Sequence, residues 1–287
     1  MIEHLVFSGG GNIGFIYIGI LKYLFSENKI QMESIKSIHC TSIGSLAAVM
    51  LSLLHTVDDI EEYIVNRPWH NLFEFTISTV LEAIRSGGMY NMNPLRKCFE
   101  PLFLAKELSL ETSLAELYRY NSIDIHFYSS DLITFDLIDI SHKTHPHWTV
   151  LEAIYASSAL PIVFTPLKKE GKVLIDGALF CNYPLKPCLN YGHDPDTIMG
   201  FNIESTSKYN STSEYLLLDY LNMIIIKMWN RTKVDQSEEL KKVENQFLVH
   251  FDFTIDSTIK ALNSKEERER LILLGIAHAS FRGEKTS

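Results

Sequence analysis

The sequence contains neither a recognisable secretory signal nor an apolar run long enough to cross a bilayer. It opens with MIEHLVFSGGG, which lacks the basic start and the apolar core of a signal peptide. The longest apolar stretch, YLLLDYLNMIIIKMW, is interrupted by Asp219, Asn222 and Lys227 and falls short of the roughly 18 uncharged residues of a membrane span. We therefore expect a cytoplasmic protein that contacts membranes only from their surface.

Cysteines and clustered basic residues are also scarce. The chain has four cysteines: Cys40, Cys98, Cys181 and Cys188. They form no C-x-x-C pair, which predicts reduced thiols rather than a disulfide framework. Lysine and arginine (26) are outnumbered by aspartate and glutamate (35), and the lysine cluster at 168–172 is broken by Glu170. With no basic stripe for a phosphate backbone to follow, the sequence argues against nucleic acid as a partner.

What the sequence does contain is a repeated strand-to-helix pattern in its first fifty residues. The strand HLVF leads through the loop SGGGNIG into the apolar helix FIYIGILKYLF. The strand SIKSIH then leads through the turn CTS into the helix IGSLAAVMLSLL. Two such units predict an α/β fold in which a mainly parallel sheet lies between helices.

The remaining pattern mixes helices and strands without a repeat or a flexible linker, so we expect a single domain over residues 1–287. Helices are predicted near 58–66, 70–86 and 94–104, in TVLEAIYASSA, at about 213–230 and in SKEERERLILLGIAHASF. Strands are predicted in IDIHFYSSDL, TFDLIDIS, DTIMGFNIE and FLVHFDFTI. The segment KEGKVLIDGAL reads as a hairpin with Gly171 in its turn.

The glycine loop is the first candidate for a functional site. Gly9, Gly10 and Gly11 follow a strand and open a helix, and Gly14 completes the loop. Backbone N–H groups in this position suit either a dinucleotide pyrophosphate or an oxyanion. A dinucleotide site also expects an acidic residue at the tip of the second strand. Glu33 lies before that strand, which weakens the dinucleotide interpretation.

Two further residues suit hydrolytic chemistry, each with a plainer alternative. Ser42 stands between the second strand and its helix, where a sharp turn presents a nucleophilic hydroxyl, yet serine is also a favoured helix N-cap. Asp176 ends an apolar strand before Gly177 and suits a general base, yet turn aspartates are common. Taken singly, neither residue decides between these alternatives.

Together these segments resemble the patatin-like phospholipase family. SGGGNIGFIYIGIL is similar to its oxyanion loop, CTSIGSLAAV to its nucleophile elbow, and LIDGALFCNYPL to its aspartate-glycine motif, while YASSALPIVFTPL resembles the segment before the aspartate. The likeness continues through GGMYNMNPLRKCFEPLF to the final helix. It implies a three-layer fold and the hydrolysis of phospholipids or other acyl esters, with no cofactor or metal and with peripheral membrane contact.

The resemblance also implies roles for individual residues. Ser42 would attack the ester carbonyl and Asp176 would accept its proton, as a dyad without histidine. The loop formed by Gly9, Gly10 and Gly11 would supply the oxyanion hole. Three further glycines would support the motifs by leaving room around them: Gly14, Gly44 and Gly177.

Two residues depart from the family pattern. The elbow is usually G-x-S-x-G, but Cys40 stands at its first glycine, and Ile13 stands where the loop often has arginine or lysine. We expect Cys40 to shift a neighbouring chain or to add strain of about 1–3 kcal/mol, and Ile13 to alter how the loop is anchored. These departures leave open a catalytically weak relative that binds lipid or a protein partner.

Other side chains offer alternatives. The cluster of His142, His145 and His147 has zinc-like spacing but lies in a turn beside proline, which favours solvated histidines. His193 could complete a Ser-Asp-His triad, although NYGHDPD reads as a surface turn. The helix near 213–230 could pack in the core or form an apolar lip for acyl chains.

Overall fold

The computed structural model describes residues 1–74, 76–205, 217–234, 237–251 and 255–286. Ten strands are assigned within these residues: β1 (His4–Phe7), β2 (Ser37–Thr41), β3 (Gly88–Tyr90), β4 (Asp124–Asp131), β5 (Asp136–Ile140), β6 (Ile162–Phe164), β7 (Leu167–Lys169), β8 (Lys172–Asp176), β9 (Ile198–Ser205) and β10 (Gln246–Phe251). Most are short and apolar, as expected for strands covered on both faces.

The main sheet has the strand order β10-β9-β1-β2-β4-β8-β7. The first five of these strands run parallel, whereas β8 is antiparallel to β4 and β7 is antiparallel to β8. The strand β5 also pairs with β4 in the antiparallel sense, and β3 pairs with β6 in a separate two-stranded sheet. The predicted mainly parallel sheet and the hairpin around Gly171 are both confirmed.

The helices assigned within the described residues are α1 (Phe15–Ser26), α2 (Ile43–Ser52), α3 (Val57–Asn66), α4 (Ile77–Ser86), α5 (Asn93–Leu104), α6 (Leu114–Asn121), α7 (Val150–Ser158), α8 (Ala178–Cys181), α9 (Leu185–Asn190), α10 (Leu217–Val234), α11 (Ser237–Leu240), α12 (Ile255–Asn263) and α13 (Lys265–Thr286). The helices α1 and α13 pack together, α2 packs on β2, and α7 packs on β4 and β8. In this described part of the chain, no helix combines the length and the apolar character needed to cross a membrane.

The structure corrects three predicted boundaries. The helix predicted at 70–86 is a 3-10 turn at Trp69–Asn71 followed by α4, because Thr76 caps α4 through reciprocal hydrogen bonds with Thr79. The strand predicted in FLVHFDFTI ends at Phe251; residues 252–254 lie outside the described residues, and α12 follows them. Residues 213–216 of the helix predicted at 213–230 also lie outside the described residues, and α10 continues to residue 234.

Candidate active site

Strand pairing brings Ser42 and Asp176 together across 134 residues of sequence. Thr41, the last residue of β2, pairs with Tyr128 of β4, and the next residue of β4, Ser129, pairs with Asp176 at the end of β8. Because Ser42 directly follows Thr41, it lies in the same row of the sheet as Asp176. Ser42 Oγ donates a hydrogen bond to Asp176 Oδ2 at 2.6 Å.

The turn at Ser42 is strained and is held from one side by α7. Ser42 has φ 55° and ψ −124°, a left-handed conformation that costs a residue with a side chain about 1–3 kcal/mol. Its N–H donates to the carbonyl and hydroxyl oxygens of Ser157, and Ser158 Oγ donates to the Ser42 carbonyl. Ser42 does occupy the N-cap position of α2, but its hydroxyl donates to Asp176 and makes no capping bond to the helix.

Asp176 is a fully buried carboxyl group with two defined hydrogen bonds. Its Oδ1 accepts from the backbone N–H of Ala178 at 2.8 Å, and its Oδ2 accepts from Ser42. Burial raises the pKa of Asp176 to about 7, against the opposing effect of these two donors. A carboxylate with this pKa is a stronger base near neutral pH than an exposed aspartate.

The glycine loop lies beside Ser42. A methyl group added to Gly9 would lie 3.1 Å from Ser42 Cβ and 2.5 Å from Asn182 Oδ1, so the loop and the turn are in contact. The N–H of Gly9 donates to the Asn182 carbonyl at 3.0 Å, so Gly9 frames the loop but has no free N–H for an oxyanion. Gly10 and Gly11 open the 3-10 turn Gly11–Gly14, where backbone N–H groups lack partners within the helix.

The glycines around the motifs occupy points of close backbone approach. A Cβ on Gly44 would lie 2.8 Å from the Phe7 carbonyl oxygen, and one on Gly177 would lie 2.1 Å from that of Tyr128. A Cβ on Gly14 would lie 2.4 Å from the side chain of Ile43. Any larger residue at Gly177 would push β8 away from β4 and separate Asp176 from Ser42.

The two departures from the family pattern are accommodated within the core. Cys40 lies inside β2, fully buried, and its thiol donates to the His126 carbonyl at 3.4 Å; its φ is outside the left-handed region. The backbone strain predicted at Cys40 is therefore absent there and occurs at Ser42 instead. Burial raises the pKa of the Cys40 thiol, which suits an inert side chain rather than a nucleophile. Ile13 is also buried in the core.

The loop is anchored by a neighbouring residue that the sequence analysis did not single out. Asn12 Nδ2 donates to the Ser257 carbonyl at 3.2 Å, and Thr258 Oγ1 donates to Asn12 Oδ1 at 2.8 Å. These bonds tie the glycine loop to α12, which is about 245 residues away in sequence. An asparagine next to three glycines is the only local signal, and its partners become visible only in the folded structure.

An apolar cavity of about 310 Å³ opens beside Ser42. Its lining includes Gly11, Asn12, Ser42, Ser158 and Thr258, and is otherwise mainly apolar: Phe15, Ile43, Leu46, Trp69, Phe73, Met89, Tyr90, Leu95, Leu160, Pro161, Ile162, Val163, Phe164, Ile225, Ile259 and Leu262. Its size and lining are typical of a site for an apolar ligand with few polar anchors. The helix α10 contributes Ile225 to this cavity, whereas its residues Ile226 and Trp229 pack in the core. Part of this helix therefore packs in the core, and part of it lines the apolar cavity.

The alternative sites are not assembled as their sequence patterns suggested. His193 stacks on His4 at 3.6 Å, at the beginning of β1, whereas Ser42 follows the end of β2 and bonds to Asp176 directly. A Ser-Asp-His triad through His193 is therefore wrong. His142 stacks on Tyr118 at 3.7 Å, the ring of His145 lies 4.7 Å from that of Trp148, and His147 is exposed. Among the described residues these three histidines form no group that could hold a metal ion.

The dinucleotide interpretation also lacks its acidic partner. Glu33 is exposed on the 3-10 turn Met32–Ser34, before β2 begins. The tip of β2 carries Ser42 instead of a carboxylate, so the residue expected to bind a ribose hydroxyl is not at the strand end.

Comparisons with known proteins find viral relatives of this chain. The chain is 26% identical over 185 residues to an uncharacterized protein of Acanthamoeba polyphaga mimivirus, which covers 64% of this chain and 60% of that protein. It is 24% identical over 189 residues to a probable lipid hydrolase of Invertebrate iridescent virus 6, and this match covers 65% of this chain and 63% of the hydrolase. The chain thus matches less than two thirds of the length of either viral relative.

The fold and the family follow from two further comparisons. The structure of VipD from Legionella pneumophila matches with a TM-score of 0.54 over 97% of this chain and 66% of VipD, at 14% identity, which is a likeness of fold. The family model described as patatin-like phospholipase matches residues 5–189, more than half of the sequence. The glycine loop, Ser42 and Asp176 all lie within the matched segment. This chain belongs to the patatin-like phospholipase family.

Proposed function

We propose that the protein hydrolyses carboxylic esters of lipids, with phospholipids as the favoured substrates, through an acyl-enzyme at Ser42. The observation that carries this proposal is the 2.6 Å hydrogen bond from Ser42 to the buried Asp176, at the edge of a cavity of about 310 Å³ with a largely apolar lining. An acyl chain in the cavity would place its ester carbonyl beside the Ser42 hydroxyl. The hydroxyl already points its proton at the base that would accept it.

In the acylation step, Ser42 Oγ attacks the carbonyl carbon while its proton passes to Asp176 Oδ2. The carbonyl π electrons move to the oxygen, which becomes the oxyanion of a tetrahedral intermediate. When the intermediate collapses, the bond to the leaving alcohol breaks and Asp176 returns the proton to that alcohol. Ser42 is left esterified by the fatty acyl group.

The oxyanion would be stabilised by the N–H groups of Gly10 and Gly11. These groups stand at the start of the 3-10 turn, and Asn12 fixes the loop through Ser257 and Thr258. Because a carboxylate is a weak base for a hydroxyl, fixed donors in a water-poor cavity would contribute much of the rate. The loop therefore matters to the chemistry as much as the dyad does.

Deacylation repeats the same transfers with water as the nucleophile. Asp176 accepts a proton from water as its oxygen attacks the acyl carbonyl, and then returns that proton to Ser42 Oγ as the ester bond breaks. The products are a free fatty acid and the regenerated hydroxyl. A pKa of Asp176 near 7 allows the group both to accept and to return a proton at neutral pH.

We further propose that α4 makes the contact with the lipid surface. Its apolar residues Ile77, Leu81 and Ile84 follow helical spacing and are 82%, 51% and 79% exposed. The strand β3 follows α4 directly, and its residues Met89 and Tyr90 line the cavity. An apolar helix face next to the cavity suits shallow insertion between lipids.

A fluorophosphonate probe would test the nucleophile and its activation together, since it is trapped by an activated serine. We expect labelling of the wild type, none in Ser42→Ala and a large loss in Asp176→Asn, with Ser52→Ala as a control. Ser52 lies on the same helix and bonds to the Val49 carbonyl, away from the cavity. A folded wild type that is not labelled, with or without phospholipid vesicles, would contradict hydrolysis and favour a lipid-binding protein.

Vesicle co-sedimentation tests the membrane contact separately. We expect Ile84→Glu to reduce binding to phosphatidylcholine vesicles by about 10-fold or more, because it places a charge on the inserted face. Leu273→Glu on α13 is the matched control, since Leu273 is 63% exposed on another helix. Equal losses in both variants would show that α4 has no special role.

A further inference from the structure

A second group of functional side chains lies on the sheet away from Ser42. His39 of β2, Cys188 of α9 and His193 of the turn after α9 present ligand atoms that all lie within 4.8 Å of one another. His39 is about 150 residues away in sequence from Cys188 and His193, so the fold brings it to them. In the sequence, His39 ends a predicted strand, Cys188 is one of the four cysteines predicted to be reduced, and His193 is the candidate for a triad.

The observation that points most directly to a ligand site is made at His39. Its side chain is fully buried, and its Nε2 atom finds no hydrogen-bond partner among the described residues. Its other ring nitrogen, Nδ1, lies 2.9 Å from the Tyr128 hydroxyl. With the proton on Nδ1 donated to Tyr128, Nε2 keeps a lone pair that no described residue uses and that a metal ion could accept. Leaving a buried polar atom without a partner is costly, and a bound metal ion would remove that cost.

The spacing of the three ligand atoms is close to that of a metal site. Some point lies within about 2.8 Å of three atoms that are separated by at most 4.8 Å. Zinc bonds are about 2.0–2.1 Å to imidazole nitrogen and about 2.3 Å to thiolate sulfur. Each ligand atom would therefore move by less than about 1 Å, within the reach of small side-chain rotations.

The surroundings orient the ligands and leave a route for the ion. The ring of His193 stacks on His4 at 3.6 Å, and His4 Nδ1 lies 2.8 Å from Ser37 Oγ, which fixes that ring in turn. His39 and Cys188 are fully buried, whereas His193 is partly exposed. An ion could therefore enter past His193 and reach the two buried ligands.

We propose that His39 Nε2, Cys188 Sγ and one ring nitrogen of His193 bind a Zn²⁺ ion. Two imidazoles and a thiolate are a ligand set that zinc favours, and water would take the fourth position. His39 precedes Ser42 by three residues, about 10 Å along an extended strand, so the ion would not touch the ester. It would instead fasten α9 and the turn after it to β2. Binding displaces the thiol proton of Cys188 to solvent.

The test is metal binding by the purified full chain, stripped with a chelator and then titrated with Zn²⁺ against a chromophoric competitor. We expect one Zn²⁺ per chain, and more than about 100-fold weaker binding in Cys188→Ser and His193→Gln. His147→Gln is the matched control, because His147 is an exposed histidine in another turn. Less than one tenth of an equivalent in the wild type, or equal affinity in all variants, would overturn the proposal.

Two further readouts separate a bound ion from a folding defect. Co²⁺ in place of Zn²⁺ should give a thiolate-to-cobalt charge-transfer band that is absent in Cys188→Ser. Zn²⁺ should raise the midpoint of thermal unfolding for the wild type and for His147→Gln but not for His193→Gln. Circular dichroism of the metal-free variants checks that they fold, and a Co²⁺ spectrum without a thiolate band would contradict the role of Cys188.

Discussion

Replacing the buried carboxyl group of Asp176 by an amide should make the protein more stable in a pH-dependent way. The folded-state pKa of Asp176 is about 7, above its ordinary value of 3.8. Between these two values the folded protein holds a proton that the unfolded chain releases. The free energy of unfolding of the wild type therefore falls as the pH rises through this window.

The size of the effect follows from the shift. A difference of about 3 pKa units at about 1.36 kcal/mol each gives a cost of about 4 kcal/mol to the wild type above pH 7. Asparagine has nearly the same shape and can accept the Ala178 N–H, and it carries no charge to bury. The stability of Asp176→Asn relative to the wild type should thus rise by about 4 kcal/mol between pH 4 and pH 8.

Urea denaturation followed by tryptophan fluorescence at a series of pH values measures this difference directly. Other titrating groups cancel between the two proteins, so the change of the difference with pH reports on Asp176 alone. The control is Asp136→Asn, a change at an exposed residue of β5, which should stay within about 0.5 kcal/mol of the wild type. Parallel stability curves for the wild type and Asp176→Asn would refute the reasoning, because they would mean that the folded state does not hold the proton.

The same features give four further expectations. The kcat/KM for ester hydrolysis should rise with pH to a plateau above about pH 7, as Asp176 becomes ionised, and a pH-rate profile measures this. Ser42→Gly should be about 1 kcal/mol more stable than Ser42→Ala in urea denaturation, because glycine accepts the positive φ of that turn. Leu46→Trp should lower activity on long-chain nitrophenyl esters by 10-fold or more while sparing short-chain esters, because Leu46 lines the cavity. Cys40→Gly should lose about 2 kcal/mol of stability without gaining activity, since it removes a buried side chain from β2.

Each of these expectations has an opposite result that would count against it. A kcat/KM that falls as the pH rises toward 7 would contradict the role of Asp176 as the base. Equal free energies of unfolding for Ser42→Gly and Ser42→Ala would mean that the strain does not lie in the backbone of Ser42. If Leu46→Trp lost activity equally on esters of all acyl chain lengths, the loss would indicate misfolding rather than a filled cavity. A strong gain of activity in Cys40→Gly would restore the hypothesis that cysteine weakens the elbow.

Much of the fold was predictable because the local signals agreed with the tertiary structure. The first two strand-to-helix units have apolar strands, a glycine loop and a sharp turn, and the structure contains both, although β2 begins at Ser37 and includes Cys40 and Thr41, which were predicted as part of the turn. The helix α6 was missed although Ser113 and Glu116 form a capping box that the sequence shows. The segment before α12 continues an apolar pattern past the end of β10, and periodicity alone could not locate that end.

The candidate site was predictable in its residue types but not in its supports. Ser42 and Asp176 stood out at strand ends, whereas their hydrogen bond depends on the register of three strands. The serines that hold the turn, Ser157 and Ser158, lie at the end of a helix and carry no local signal of that role. The pKa of Asp176 depends on burial, which only the folded structure supplies.

The position of β1 in the sheet has a consequence for any attempt to isolate the segment that the family model covers. β1 is an interior strand because β9 pairs with it on one side and β2 on the other, and β9 lies after residue 189. Ending the chain at residue 189 would turn His4–Phe7 into an apolar edge with unpaired backbone groups, which invites edge-to-edge aggregation. The glycine loop that follows β1 thus depends on a strand that lies beyond the segment matched by the family model.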